Sequence, residues 1–253
     1  MNNSSPESTN SFMEPPRQPV RIAMPRPAAK PRVTYILLAI TIFFFILQWI
    51  SSQVLGVDYP LALGAKINEA IRAGQYWRLL TPALLHASLI HIGFNMYALY
   101  AIGRGLEQHY GHGRYILLYA ISALAGNTLS FVLSPNPSTG ASTAIFGLVA
   151  AEGVFIFRNR FIFGGNTRAM LANIATIILI NLIIGLSPGI DNWGHLGGLL
   201  GGLVFAWFAG PALKVEGLYP NLQLTDQHDR RQVGLVVAIE TLVLLGLVAL
   251  AAA

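Results

Sequence analysis

Seven apolar blocks dominate this chain, at about residues 33–54, 88–106, 114–133, 142–157, 169–187, 194–209 and 233–253. A helix rises about 1.5 Å per residue, so most of these blocks are long enough to cross a hydrocarbon layer of about 30 Å. None shows the polar and apolar alternation of a membrane barrel strand. In lipid a segment must satisfy its own backbone hydrogen bonds, so continuous apolar runs predict helices. With 54% hydrophobic and 11% charged residues, the composition lies outside the soluble range. The predicted fold is all-α, a polytopic bundle of helices with the lipid bilayer as its surroundings.

A net charge of +5 could suggest a nucleic-acid partner, but the basic residues sit between the apolar blocks. They read as topology signals, so no nucleic acid is expected. Thirteen Lys and Arg fall on one side: Arg17, Arg21, Arg26, Lys30 and Arg32, then Arg104 and Arg114, Arg158, Arg160 and Arg168, and Lys214, Arg230 and Arg231. The other side has Lys66, Arg72 and Arg78. The positive-inside rule then predicts a cytoplasmic N-terminus and an outer C-terminus. Residues 1–32, with seven prolines and five basic residues, predict a disordered cytoplasmic tail rather than a removable signal peptide. A six-helix core is expected over 33–210, a cytoplasmic linker over 211–232 and a seventh transmembrane helix over 233–253. The connection from Leu55 to Ala87 is long, semi-polar and expected to have a function. With no cysteine, disulfides and thiolate metal sites are excluded.

The blocks at 142–157 and 194–209 are sixteen residues each, roughly 24 Å as helix and short of a full crossing. Anchored at their cytoplasmic ends, they predict a hydrated pocket below the outer surface, because irregular backbone at that depth needs protein or water around it. His86, His91 and Asn95 at the start of helix two, Ser142 starting helix four and His195 starting helix six converge on that level. Polar groups in membrane helices are costly and mark function by default, with inter-helix hydrogen bonding the plainer reading for any one of them. A serine becomes a nucleophile when a neighbouring histidine takes its proton. Ser142 at a helix N-terminus also has free backbone N–H groups beside it that can hold an oxyanion. His91 and Asn95, four residues apart, present donors from one helix face. Gly194, Gly198, Gly202 and Ala206 form a smooth strip that packs helix six against helix four and brings His195 to Ser142.

The segments 74–100 (GQYWRLLTPALLHASLIHIGFNMYALY), 140–147 (GASTAIFG) and 194–202 (GHLGGLLGG) resemble the rhomboid intramembrane proteases in order and spacing. The resemblance covers about 33–210. It implies a six-helix core, a Ser142 and His195 dyad with no third carboxylate, and oxyanion donors from His91, Asn95 and the Ser142 N–H. It also implies Phe146 packed on the catalytic imidazole, with Gly140, Gly194 and Gly198 supporting the site. Trp77 and Arg78 match the family's first-loop motif, and 103–111 (GRGLEQHYG) its helix-two exit. The function implied is serine endopeptidase cleavage of transmembrane protein substrates near the outer face, in a membrane most like a bacterial cell membrane, with no cofactor. Thr143 departs from the family's glycine after the nucleophile and is expected to crowd the oxyanion hole or narrow substrate choice.

Among the remaining polar residues, Asp191 is expected to cap helix six rather than complete a triad. Glu107 is expected to cap, or to pair with Arg104 or Arg114. Glu152, Glu240, Asn127, Asn173 and Asn181 read as hydrogen-bonding partners within the bundle. A zinc site from His86, His91 and His195 is disfavoured, since residues 86 and 91 share a helix face poorly and no HExxH occurs. A catalytically silent rhomboid-like protein that binds transmembrane clients, and a transporter, are the competing classes.

Overall fold

The computed structural model describes residues 30–218 and 221–252. The predicted tail over 1–32 therefore lies, except for its last three residues, outside the described residues. The elements are α1 (Arg32–Leu55), α2 (Tyr59–Gly64), α3 (Asn68–Arg72), α4 (Leu89–Leu133), α5 (Ser142–Arg158), α6 (Arg160–Phe163), α7 (Thr167–Ile184), α8 (Asn192–Ala209) and α9 (Arg230–Ala252), with a hairpin of β1 (Leu213–Glu216) and β2 (Gln223–Asp226). Among the described residues, four helical stretches, Arg32–Leu55, Leu89–Leu133, Arg160–Ile184 and Arg230–Ala252, are long and apolar enough to cross a membrane.

The helix α4 is two rods joined at Gly111, whose φ of 72° and ψ of 163° lie where essentially only glycine is found. The predicted connection between 106 and 114 shrinks to this one residue. Its polar residues are adequate helix formers, so polarity there does not interrupt the helix.

The surface is far more apolar than that of a soluble protein. Ile36, Phe43, Trp49, Leu179, Ile183, Leu242 and Leu250 are exposed, while Thr34, Thr41, Gln48, Asn127, Thr128 and Ser130 are buried. Apolar side chains face outward because lipid solvates them, and inside Thr34, Gln48, Asn127 and Ser130 have hydrogen-bond partners. The chain is thus built as a multi-pass integral membrane protein.

The centre is formed by α4, α5 and α8 packed on one another; α1 lies against α4, and α9 against α4 and α8. Two glycine faces on α8 make the centre possible. A methyl group on Gly198 would lie 1.9 Å from Thr143 O, and one on Gly202 would lie 2.3 Å from Gly147 Cα. On the other face, Gly197 and Gly201 meet Gly126 and Ala125 of α4. By contrast α7 packs on α5 and carries no buried residue.

The predicted linker over 211–232 holds the antiparallel hairpin, with Leu213 opposite Asp226 and Glu216 opposite Gln223. Four residues of alternation are too few to separate a strand from a loop by sequence. Arg114 bonds the Asp226 carboxylate and His228 O, and Asn159 Oδ1 accepts from Leu213 N at 2.8 Å. Arg114 is therefore not the partner of Glu107, and Arg104 instead stacks over the Tyr100 ring. Glu107 is fully buried and accepts from Val33 N, Thr34 N and Thr34 Oγ1 at 2.7–2.8 Å, with His112 Nδ1 at 2.6 Å. The carboxylate holds the free N–H groups at the start of α1, where the helix dipole favours a negative charge.

Candidate active site

Ser142 opens α5, and the residues before it set its direction. Gly140 has φ 127°, and a methyl group there would lie 2.6 Å from His91 Nε2 and 3.5 Å from Ser142 Oγ. Only a glycine fits both the conformation and the space, and its bareness lets His91 and Ser142 face each other across it. The first N–H groups of α5 have no intrahelical acceptors, as at any helix start.

His195 enters from α8. Asp191 Oδ1 accepts from Gly194 N at 3.0 Å and so caps the helix, while Asp191 Oδ2 accepts from the Ser130 hydroxyl. One turn in, the buried His195 ring brings Nε2 to 2.9 Å from Ser142 Oγ. That is hydrogen-bond distance between a hydroxyl and the imidazole nitrogen able to take its proton. The Phe146 ring, four residues after Ser142 on the same helix, stacks on the imidazole at 4.4 Å between centroids and 12° between planes. Among the described residues, His195 Nδ1 is buried with no hydrogen-bond partner, and the Asp191 carboxylate is occupied elsewhere.

Asn95 is buried, but its amide turns back along α4 and donates to His91 O at 2.9 Å. It must rotate to donate into the site. His91 instead presents its ring directly at Gly140.

The structure also defines the place of His86 at this level and adds Gln48, which the sequence does not single out. His86 Nε2 accepts from Ala141 N at 3.3 Å, and the His86 ring meets the His91 ring edge to face at 4.9 Å. The five-residue spacing suggested that these rings would diverge. His86 precedes the first residue of α4, so helical phase does not apply to it. Burial, with His91 alongside, pushes His86 down to about 3, so it is neutral and able to accept. Gln48 of α1 holds the same corner, accepting from His86 N at 3.0 Å and donating to His86 O at 3.2 Å.

The Thr143 side chain packs toward α4 and the start of α8. A methyl group on Gly126 would lie 2.6 Å from Thr143 Cβ, and one on Gly194 would lie 3.0 Å from Thr143 Cγ2. The side chain thus packs at the seam between α4 and α8.

Residues 73–212 match the rhomboid domain family. The chain is 43% identical over 185 residues to rhomboid protease GluP of Bacillus subtilis (strain 168), covering 73% of this chain and 35% of that protein. It is 38% identical over 184 residues to RHOMBOID-like protein 2 of Arabidopsis thaliana, covering 71% of this chain and 58% of the relative. RHOMBOID-like protein 9, chloroplastic, of the same plant is 33% identical over 160 residues, or 63% of this chain and 37% of the relative. The chain thus spans between a third and three-fifths of the length of these relatives. Matching residues over more than half of the chain, it belongs to the rhomboid family.

Proposed function

We propose that this protein is an intramembrane serine endopeptidase that cleaves transmembrane protein substrates through a Ser142 and His195 dyad. The observation that carries the reading is the 2.9 Å approach of His195 Nε2 to Ser142 Oγ inside a membrane-type bundle. His195 takes the hydroxyl proton as Ser142 Oγ attacks the scissile carbonyl carbon. The tetrahedral oxyanion is held by the Ser142 N–H and His91, with Asn95 joining after it rotates. His195 then returns the proton to the leaving amine, and the same residue activates a water that hydrolyses the acyl-enzyme. The Phe146 ring keeps the imidazole in plane through both transfers. No cofactor is needed for this sequence of steps.

The topology proposed with it has a cytoplasmic N-terminus, a six-helix core over 33–210, a cytoplasmic linker over 211–232 and a seventh transmembrane helix ending outside, in a bacterial cell membrane. Ser142 and His195 then act near the outer face. A substrate helix must unwind to offer its carbonyl, which favours Gly or Pro near the cleaved bond. The name of the Bacillus relative, a rhomboid protease, supports an enzyme over a silent client-binding protein. The test is reconstitution of wild type, Ser142→Ala and His195→Ala with a model transmembrane substrate. Both variants are expected to lose cleavage, and equal cleavage by all three would remove the reading.

A further inference from the structure

Lys66 has no part in the chemistry above, yet it is fully buried at 0% exposure. Lysine is among the residues least often buried, because hiding it sacrifices side-chain freedom and hydration of the ammonium. Here its Nζ donates to Ser134 O and Asn136 O, both at 2.8 Å. Its main chain pairs with Ser138 in both directions, Lys66 N to Ser138 O at 3.0 Å and Ser138 N to Lys66 O at 3.1 Å. Asn68, two residues on, adds a donor to Ser134 O at 3.0 Å. Burial pulls the Lys66 ammonium down to about 8, opposed by the charges of Asp191 and Glu69, so at neutral pH it remains charged and its bonds are charge-assisted.

The stretch that it grips leads directly into Ser142. Residues 134–141 have no helix or extended strand of their own, and near their end Gly140 takes a φ of 127°, which glycine alone adopts readily. Gly140 N is tied to Pro82 O at 2.9 Å and Ala141 N to His86, so the far end is held as well. Lys66 itself is placed by the first-loop motif: Arg78 donates to Ala62 O and Ala65 O at 2.7–2.8 Å, and Thr81 Oγ1 donates to Gly64 O at 2.7 Å. A continuous set of hydrogen bonds therefore runs from Arg78 through Lys66 to the segment that aims the nucleophile.

We propose that Lys66 is a positioning residue for Ser142, clamping residues 134–138 so that Gly140, Ala141 and Ser142 meet His91, His86 and His195 in reactive geometry; this rests on the dyad reading above. The test uses the full chain. It measures acylation of Ser142 by a fluorophosphonate, kcat and KM on a reconstituted transmembrane substrate, thermal unfolding, and amide exchange resolved over 134–141. Lys66→Met is expected to slow acylation and kcat by about tenfold or more with KM within about twofold, since misplacing a nucleophile by an ångström has effects of that size. Exchange should rise selectively over 134–141, and Lys66→Arg should recover part of the rate. Ser138→Pro, which removes the donor to Lys66 O from the other side, should reproduce the defect. Should Lys66→Met not fold, Lys66→Gln is read in the same way. A folded Lys66 variant that acylates at the wild-type rate overturns the proposal, as does slowing matched by uniform exchange across the chain. Ser142→Ala separates the two claims: cleavage surviving in it removes the dyad reading, whereas wild-type acylation without Lys66 removes only the clamp.

Discussion

The Phe146 ring lies nearly parallel to the His195 imidazole, 4.4 Å from it, on the same face of α5 as Ser142. Nucleophile and imidazole support thus move as one rigid helix turn, while the base arrives from α8. Removing the ring leaves the imidazole free to tilt away from the 2.9 Å contact. Phe146→Ala should lower kcat by about tenfold to a hundredfold, in line with the cost of small misplacements. Phe146→Tyr should stay near wild type. Steady-state cleavage in proteoliposomes checks both.

His86 predicts an acid limit. Its folded value of about 3 lies below the ordinary value of 6.5, so between these pH values the unfolded chain takes up a proton that the folded chain does not. Stability from this residue is complete above pH 6.5 and is lost as pH falls toward 3, with a slope approaching about 1.4 kcal/mol per unit. Thermal unfolding at several pH values should show a shallower acid loss in His86→Gln than in wild type. Parallel curves would show that burial does not hold His86 neutral in the folded chain.

The glycines of α8 and α4 should respond in opposite ways to alanine. Gly198→Ala forces a methyl group to 1.9 Å from Thr143 O, a clash with main chain that no rotamer relieves. It should cost at least the roughly 1–3 kcal/mol of an overpacked core and abolish cleavage. Gly105→Ala meets nothing within 4 Å and should stabilise by about 0.5–1 kcal/mol through helix propensity. Melting temperatures of the two variants in one detergent decide the matter.

Asn95 is poised rather than engaged, its amide on His91 O. If it rotates to meet the oxyanion, its contribution exists only in the transition state. Asn95→Ala should then reduce kcat by about a hundredfold with little change in KM. A rise in KM at constant kcat would instead assign it to substrate binding.

Much of the site was legible because polar residues are conspicuous against an apolar background. Ser142 and His195 each stand at the start of an apolar block, and the glycine spacing of α8 gave their approach. What escaped notice shares one physical cause: the partner is main chain. Glu107 is legible as a cap, but not that the helix it caps is α1, more than seventy positions away, and Lys66 binds carbonyls, which leave no mark on residue identity. The direction of Thr143 is set by helix geometry rather than by a partner. One step along a helix turns a side chain by about 100°, so the neighbour of the nucleophile points into the seam toward Gly126.

The meeting of α8 with α5 and α4 through bare backbone has a consequence for how the protein tolerates its surroundings. Where helices touch through long side chains, their spacing drifts as those chains change rotamer with temperature or bilayer thickness. Here the gap is set by the hard radii of carbonyl oxygens and α-carbons at Gly198 and Gly202. The distance between hydroxyl and imidazole is in effect machined to the backbone, and the outward faces of the same helices are left free to be rewritten for whatever lipid they meet.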